Sequence, residues 1–280
     1  MLFTVVYPQA IKYFSDFCTS AVTQSNKDFD VLIINDGCER NILCDFLTNL
    51  NYTIIDAAGN PSKNRQQGIN YARQNGYKYL VSCDVDDTFS PGRIGDTIKL
   101  LSTNEYDILV CNLNIVNESL HPLIKDYFSF EIPGDKLIDK EFIRDKNIFG
   151  MSNTAIKLQS LKNDISIPDT PIADWYLFTM LLDKGLTAGY VNQSYVNYRQ
   201  YDANLIGINC FDVSTFKRLA NYKYCHYKLL VENGFEDYKS LLYESEKLLT
   251  VSDKRIETII SKQLEDHKQP LWWQIISNNQ

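Results

Sequence analysis

The sequence has no run of about 18 apolar residues, so no membrane-spanning helix is expected. It opens on strand-like residues from Leu2, without a basic segment followed by an apolar one, so no secretory signal is expected either. It has no surplus of positive charge. Its 28 Lys and Arg face 35 Asp and Glu, a net of −7, and binding to a nucleic-acid backbone relies on the opposite balance. It has no Cys-x-x-Cys pair, and seven scattered cysteines fit the reduced thiols of a cytoplasmic protein better than disulfides or zinc. Finally, Tyr7-Pro8-Gln9-Ala10 follows the first strand where a nucleotidyltransferase would carry a Gly-rich loop with a Lys, so that chemistry is disfavoured.

What is present is enough apolar residue for a sizeable core: 44% of 280 residues, which suits one large α/β core or one core with a small appended domain. Eighteen Tyr and fourteen Phe offer faces that stack on sugars, although most are expected in the core.

The most informative stretch is Lys78-Tyr79-Leu80-Val81-Ser82-Cys83-Asp84-Val85-Asp86-Asp87, an apolar strand running into three carboxylates. Strand alternation sets Asp84 and Asp86 on one side, ~6–7 Å apart, where bare carboxylates repel by roughly 2–3 kcal/mol at an effective dielectric of about 20. A divalent cation reverses the sign, and Mg2+ or Mn2+ commonly sits between one or two carboxylates and nucleotide phosphates. An acidic turn that only keeps a strand end soluble would read the same way. A calcium loop of the EF-hand kind is disfavoured, because the twelfth position from Asp84 is Gly95 where a bidentate Glu is required.

Along the first half, short apolar runs alternate with helical periodicity. Strands are expected at Phe3–Tyr7, Val31–Ile34, Tyr52–Ile55, Tyr77–Cys83 and Asp107–Asn112, with helices over residues 11–22, 40–49 and 65–74 and after Pro91. This alternation predicts a mostly parallel sheet whose ligands bind outside the carboxyl ends of the strands. Asp36, in the turn Asn35-Asp36-Gly37, and Asp84 both fall there, and the segment around Arg65 should reach the same edge; turn chemistry alone also explains Asp36. A helix-like run through Arg144 follows an irregular stretch. Beyond it come Gly150–Lys157, a helix with Trp175, Phe178, Leu181 and Leu182 on one face, and strands at Thr187–Val191 and Tyr195–Arg199. From Phe211 onward the pattern is all helical, with Phe216, Ala220, Tyr224, Tyr227 and Val231 on one stripe.

Five of these motifs, in order, resemble the inverting family 2 glycosyltransferases of the GT-A fold that build bacterial surface polysaccharides. Ser20–Gln24 with Val31–Cys38 is similar to that family's helix end and its strand closing in Asp-Asp-Gly-Ser. Asn64-Arg65-Gln66-Gln67-Gly68 resembles its Ala-Arg-Asn-x-Gly helix, and Asp84-Val85-Asp86-Asp87 with Pro91 its DxD segment. Ala173-Asp174-Trp175 resembles its Glu-Asp pair, and Tyr198-Arg199 with Asn204 its Tyr-Arg-x-His-x-x-Asn stretch. Asn35 stands for Asp, Gln66 for Asn, Ala173 for Glu and Tyr201 for His, and the family's opening Pro-Thr-Tyr-Asn is replaced by Tyr7-Pro8-Gln9.

The resemblance implies a Rossmann-like GT-A domain over residues 1–207, split into a nucleotide-sugar half (1–115) and an acceptor half (116–207), with a helical extension over 208–280. It implies metal-dependent transfer from a nucleotide-diphosphate sugar, with UDP as the family-level donor, to a hydroxyl of a glycan or lipid-linked acceptor. Tyr7, Asp36, Arg65, Asp84, Val85 and Arg199 would contact the donor, Asp86 with Asp87 would hold Mn2+ or Mg2+, and Asp174 would be the general base. The residue-level alternatives are a helix N-cap for Asp174 and a surface salt bridge for Arg199. The apolar tail Gln269–Ile276, with Trp272-Trp273, either docks on the protein's own catalytic domain or makes a peripheral contact at the inner face of the cell membrane. A non-catalytic nucleotide-sugar-binding module on the same fold is the competing function.

Overall fold

The computed structural model describes residues 1–103, 105–201, 212–265 and 271–275, with side chains through 262 in the last helix. Asn204, Phe211, the 207/208 boundary and the tail residues Gln269, Pro270 and Ile276 lie outside the described residues. The chain divides into two compact units, Met1–Lys140 with Phe149–Tyr201, and Glu141–Ile148 with Asp202–Gln280.

The first unit is an α/β sheet protein. Its strands are β1 (Leu2–Val6), β2 (Val31–Asn35), β3 (Tyr52–Asp56), β4 (Tyr79–Ser82), β5 (Thr88–Phe89), β6 (Ile108–Asn117), β7 (Pro122–Ile124), β8 (Lys136–Ile138), β9 (Thr154–Lys157) and β10 (Ala188–Gln200). Its helices are α1 (Phe14–Val22), α2 (Arg40–Phe46), α3 (Pro61–Gln74), α4 (Arg93–Ser102) and α5 (Ala173–Asp183). The main strand order is β3-β2-β1-β4-β9-β6-β10-β5. From β3 to β4 every pairing is parallel; β9 enters antiparallel to both β4 and β6, and β10 returns parallel to β6. The expected α/β class is therefore what is found, with the parallel character concentrated in the first half.

That parallel half positions the site. Val6 pairs with Asn35 and Phe3 with Ser82, so the residues just after β1, β2 and β4, namely Tyr7, Asp36 and Asp84, emerge at one edge. The strands form because β2 is Val-Leu-Ile-Ile-Asn with every residue buried, as a strand covered on both faces requires. Helix α3 packs against β1 and β2. Gly68 permits the close approach: a Cβ there would lie 2.2 Å from the Phe3 ring.

Several boundaries differ from the periodicity. Helix α3 starts at Pro61, four residues before Arg65, because Asn60 caps it by accepting from Lys63 N–H (2.9 Å) and Pro61 fills the first helical position. The two strands expected within 187–199 are one strand, β10, with a register shift between Val191 and Tyr195. The helix-like run through Arg144 is not a helix. Lys136–Ile138 pairs antiparallel with β10, and Glu141–Ile143 makes turns closed by a bond from Arg144 N to Glu141 O.

The second unit is built on α6 (Val213–Glu232), α7 (Lys239–Leu248) and α8 (Asp253–Glu265). Phe216 and Ala220 pack with Ile256 and Ile260 in its core. The buried stripe of α6 is rotated from the expected one: Leu219, His226 and Leu230 are buried, whereas Tyr224 and Val231 are half-buried. Residues 141–148 join this unit through Tyr227 Oη to Arg144 O (2.9 Å), Arg144 Nη2 to Asp237 O (2.6 Å), and Asn147 N to Trp272 O (2.8 Å). Trp272 and Trp273 are both buried, and Trp273 meets the Tyr222 ring edge-on at 5.3 Å. Among the described residues no helix is long and apolar enough to cross a membrane, and the six described cysteines are all free.

Candidate active site

The turn after β2 shows why Asn stands at position 35. Its carboxamide donates from Nδ2 to Cys38 O (3.0 Å) and accepts from Cys38 N at Oδ1 (2.9 Å), a pairing that a carboxylate could not complete. Gly37 takes φ = +91° in the same turn. Asp36 is thereby presented at the edge, where its Oδ2 accepts from Asn64 Nδ2 (3.1 Å). Asn64 is fully buried and also accepts from Gly59 N, so it ties the β2 turn to the head of α3.

One residue along α3, the Arg65 Nη2 lies 3.9 Å from Asp84 Oδ1. Among the described residues the buried Arg65 Nε has no hydrogen-bond partner, a donor left over beside carboxylates. Burial, opposed by Arg65 and reinforced by the charges of Asp86 and Asp174, pushes the Asp84 carboxyl up to about 6. Asp174 is raised as well, by burial, with the Arg65 charge and the Trp175 N–H working against it. Arg65 thus acts on both carboxylates, and Asp84 feels Asp174. Asp174 is not the cap of α5. The capping residue is Ile172, with no side-chain cap bond, and Asp174 stands at the second helical position with Oδ1 accepting from Trp175 N (2.8 Å).

The acidic loop after β4 separates three carboxylates by environment. Asp87 is 1% exposed; Oδ1 accepts from Arg199 N (2.8 Å) and Oδ2 from the Ser152 hydroxyl. Burial first, then the Asp86 charge, holds it well above the usual carboxylate range. Val85 is fully buried beneath the loop. Asp86 is buried, though less deeply than Asp87, while Asp84 is the most exposed of the three; the Asp86 Oδ2 accepts from the Tyr201 hydroxyl at 2.5 Å, and among the described residues no hydrogen bond reaches its Oδ1.

Arg199, at the end of β10, is 2% exposed, and each of its nitrogens is engaged by the protein. Nε donates to Asp86 O (2.6 Å), Nη1 to Glu118 O and Nη2 to Asp16 Oδ2 (2.7 Å), while Tyr13 packs its ring 4.4 Å from the guanidinium. Tyr7 is half-buried, and its hydroxyl pairs with that of Tyr201; burial and the Asp86 charge push the Tyr7 phenol up to about 12. Tyr201 is raised further by burial and the Asp86 charge, so it stays protonated and donates.

Arg65, Asp84, Asp86, Asp174 and Tyr7 lie close enough to act on one another electrostatically, Asp36 is tied to the same helix through Asn64, and Asp87, Val85 and Arg199 are buried in the acidic loop and the strand end that holds it. Among the described residues no group of three or more His, Cys, Asp or Glu is arranged to hold a metal unaided. The donor set nevertheless fits a divalent cation that shares its coordination with phosphates: among the described residues no hydrogen bond reaches Asp86 Oδ1, and Arg65 acts on two of the neighbouring carboxylates, Asp84 and Asp174. Three participants were not assigned roles from sequence. Asn64 and Tyr201 lie inside quoted motifs, whereas Ser152, which also receives the Asp84 N–H (3.3 Å), carries no sequence signal at all.

A parallel half-sheet that gathers carboxylates and an arginine at its carboxyl edge places these residues where open α/β sheets bind their ligands. The family model described as Glycosyl transferase family 2 matches residues 3–163, more than half of the chain. The chain belongs to glycosyl transferase family 2, with the GT-A fold, and is a glycosyltransferase. No curated protein matches the sequence. Similar solved structures include S. aureus TarS 1-349 in complex with UDP-GlcNAc, at 16% identity and TM-score 0.59, covering 96% of this chain and 77% of that one. The same TarS segment with UDP matches at 14% identity and TM-score 0.58, over 96% and 92% of the two chains. GalNAc-T7 with UDP, GalNAc and Mn2+ matches at 12% identity and TM-score 0.52, over 96% of this chain and 57% of that one.

Proposed function

We propose that this chain is a metal-dependent inverting glycosyltransferase that moves a sugar from a UDP-type donor to a hydroxyl of a glycan or lipid-linked acceptor in polysaccharide biosynthesis. The observation that carries this is Arg65 acting on both Asp84 and Asp174, with Asp86 beside Asp84, at the carboxyl edge of the parallel strands. Neighbours of the same fold contain UDP-GlcNAc, UDP and Mn2+, which favours that donor and that cation.

Asp36 accepts a hydrogen bond from the base, oriented by Asn64, while Tyr7 borders the base and Asp84 the ribose. Arg65 turns its unsatisfied Nε to the donor. Asp86, with Asp84 beside it, would hold Mn2+ or Mg2+, a cation that would supply positive charge to offset the charge growing on the leaving group. Asp87 and Arg199 shape this loop from below, since their polar atoms are already committed to protein partners. Asp174 takes the proton of the acceptor hydroxyl as that oxygen bonds to the anomeric carbon. The bond from that carbon to the diphosphate oxygen breaks on the opposite face, and a single displacement inverts the centre. The elevated pKa of Asp174 makes it a stronger base than an exposed carboxylate. Burial of Trp272 and Trp273 weighs toward docking of the tail and against a membrane contact through those indoles.

Incubation with UDP-, GDP-, dTDP- and CMP-sugars, with and without manganese, tests the reading. Manganese-dependent release of UDP by hydrolysis or transfer is expected. Binding of nucleotide-sugar without any turnover would instead identify a binding module.

A further inference from the structure

The C-terminal end of β10 holds Asp86 twice. Arg199 Nε donates to the Asp86 backbone carbonyl at 2.6 Å, and two residues on, the Tyr201 hydroxyl donates to the Asp86 side chain at 2.5 Å. Tyr201 is itself fixed, because its ring packs 5.4 Å from that of Tyr13, which lies against the Arg199 guanidinium and donates to Glu118 Oε1 at 2.6 Å. The single Tyr201 proton goes to the carboxylate, so the Tyr201 oxygen can only accept from the neighbouring Tyr7 hydroxyl.

An aspartate carboxylate turns broadly about its terminal torsion and can present one oxygen or two. Here one oxygen is occupied, and among the described residues no hydrogen bond reaches the other. We propose that Tyr201 is a positioning residue for Asp86: its hydroxyl pins Oδ2 and thereby aims Oδ1 as a single-oxygen ligand for a divalent cation. This inference rests on the metal-dependent reading above and adds to it a residue that acts through Asp86. Groups that orient a metal ligand from behind typically change metal affinity by about 10–100-fold.

The test is calorimetric titration of manganese into the full chain with UDP present, for the wild type, Tyr201→Phe, Asp86→Asn and the double variant. Phe keeps the ring that packs on Tyr13 and removes only the hydroxyl. Tyr201→Phe is expected to weaken manganese binding by about 10–100-fold, to leave metal-free UDP binding unchanged, and to have no further effect in the Asp86→Asn background. Tyr7→Phe, which removes a hydroxyl from Tyr201, is expected to weaken it in the same sense by a smaller factor, and it serves as the readout if Tyr201→Phe does not fold. Wild-type manganese binding with no loss in the Phe variants overturns this proposal alone. Absence of manganese binding in the wild type overturns the metal reading and this proposal together.

Discussion

The loop after β4 and the start of α5 both bring a carboxylate to one neighbourhood, yet they are held in opposite ways. The loop is tied to distant chain. Asp87 is bonded by Ser152 and Arg199, Asp84 N by Ser152, and Asp86 by Arg199 and Tyr201. Asp174 makes one local bond, to the N–H of the next residue, and is otherwise surrounded by electrostatic neighbours. The difference matches the two tasks proposed for them. A ligand for a cation gains from a fixed direction, whereas a base must meet a proton that arrives with another molecule.

The sharpest way to break this contrast is at the base. Asp174→Asn is expected to lose about 10²–10⁴-fold in turnover with donor affinity largely kept, measured as separate kcat and KM values. Near wild-type turnover would remove Asp174 from the role. Gly68→Ala tests the helix that carries Arg65 between the two carboxylates. A methyl at 2.2 Å from the Phe3 ring must push α3 off β1, and a loss of about 2–3 kcal/mol in thermal unfolding is expected. Unchanged stability would mean that the helix–strand distance is not set there.

A smaller effect is expected from Ser152→Ala, which leaves Asp87 Oδ2 and Asp84 N–H each short of a partner. About 1–2 kcal/mol should be lost in denaturant unfolding, along with weaker metal-dependent UDP binding. Equal stability would show that the loop keeps its form without that tie.

The mildest test is pH. Asp84 titrates near 6 in the folded chain and near the ordinary 3.8 when unfolded, so between those values the native state binds the extra proton. Its contribution to stability is therefore full below about 4 and declines as pH rises through 6. Stabilisation by manganese with UDP, which needs the ionised carboxylate, should grow over the same window. Thermal melts across that range, with and without the pair, read both trends.

Much of the site was legible because its residues stand where strands end. Asp36, Asp84 and Asp86 follow apolar runs whose spacing already implied a shared edge, and Arg65 begins the expected helix. What could not be read were bonds across the chain: Asn64 to Asp36 spans 28 residues, Ser152 to Asp87 65 and Tyr201 to Asp86 115. Composition and period carry no record of such pairings. For the same reason the sequence offers Arg199 as a donor contact or a surface salt bridge, whereas it is buried among a carbonyl of the acidic loop, Glu118 and Asp16. In the fold, β10 was divided in two because its irregularity at 192–194 interrupts the alternation. The stretch through Arg144 imitated a helix because only pairing with distant strands and helices, which period does not report, decides its form.

The central claim is that Asp86 joins a cation to a nucleotide at this edge, and calorimetric titration of UDP with and without manganese, in the wild type and in Asp86→Ala, tests it most directly. Manganese should raise UDP affinity by about tenfold or more in the wild type, equivalent to roughly 1.4 kcal/mol, and should have no effect in the variant. UDP binding that ignores manganese in the wild type, or a manganese effect that survives the loss of Asp86, would contradict the account.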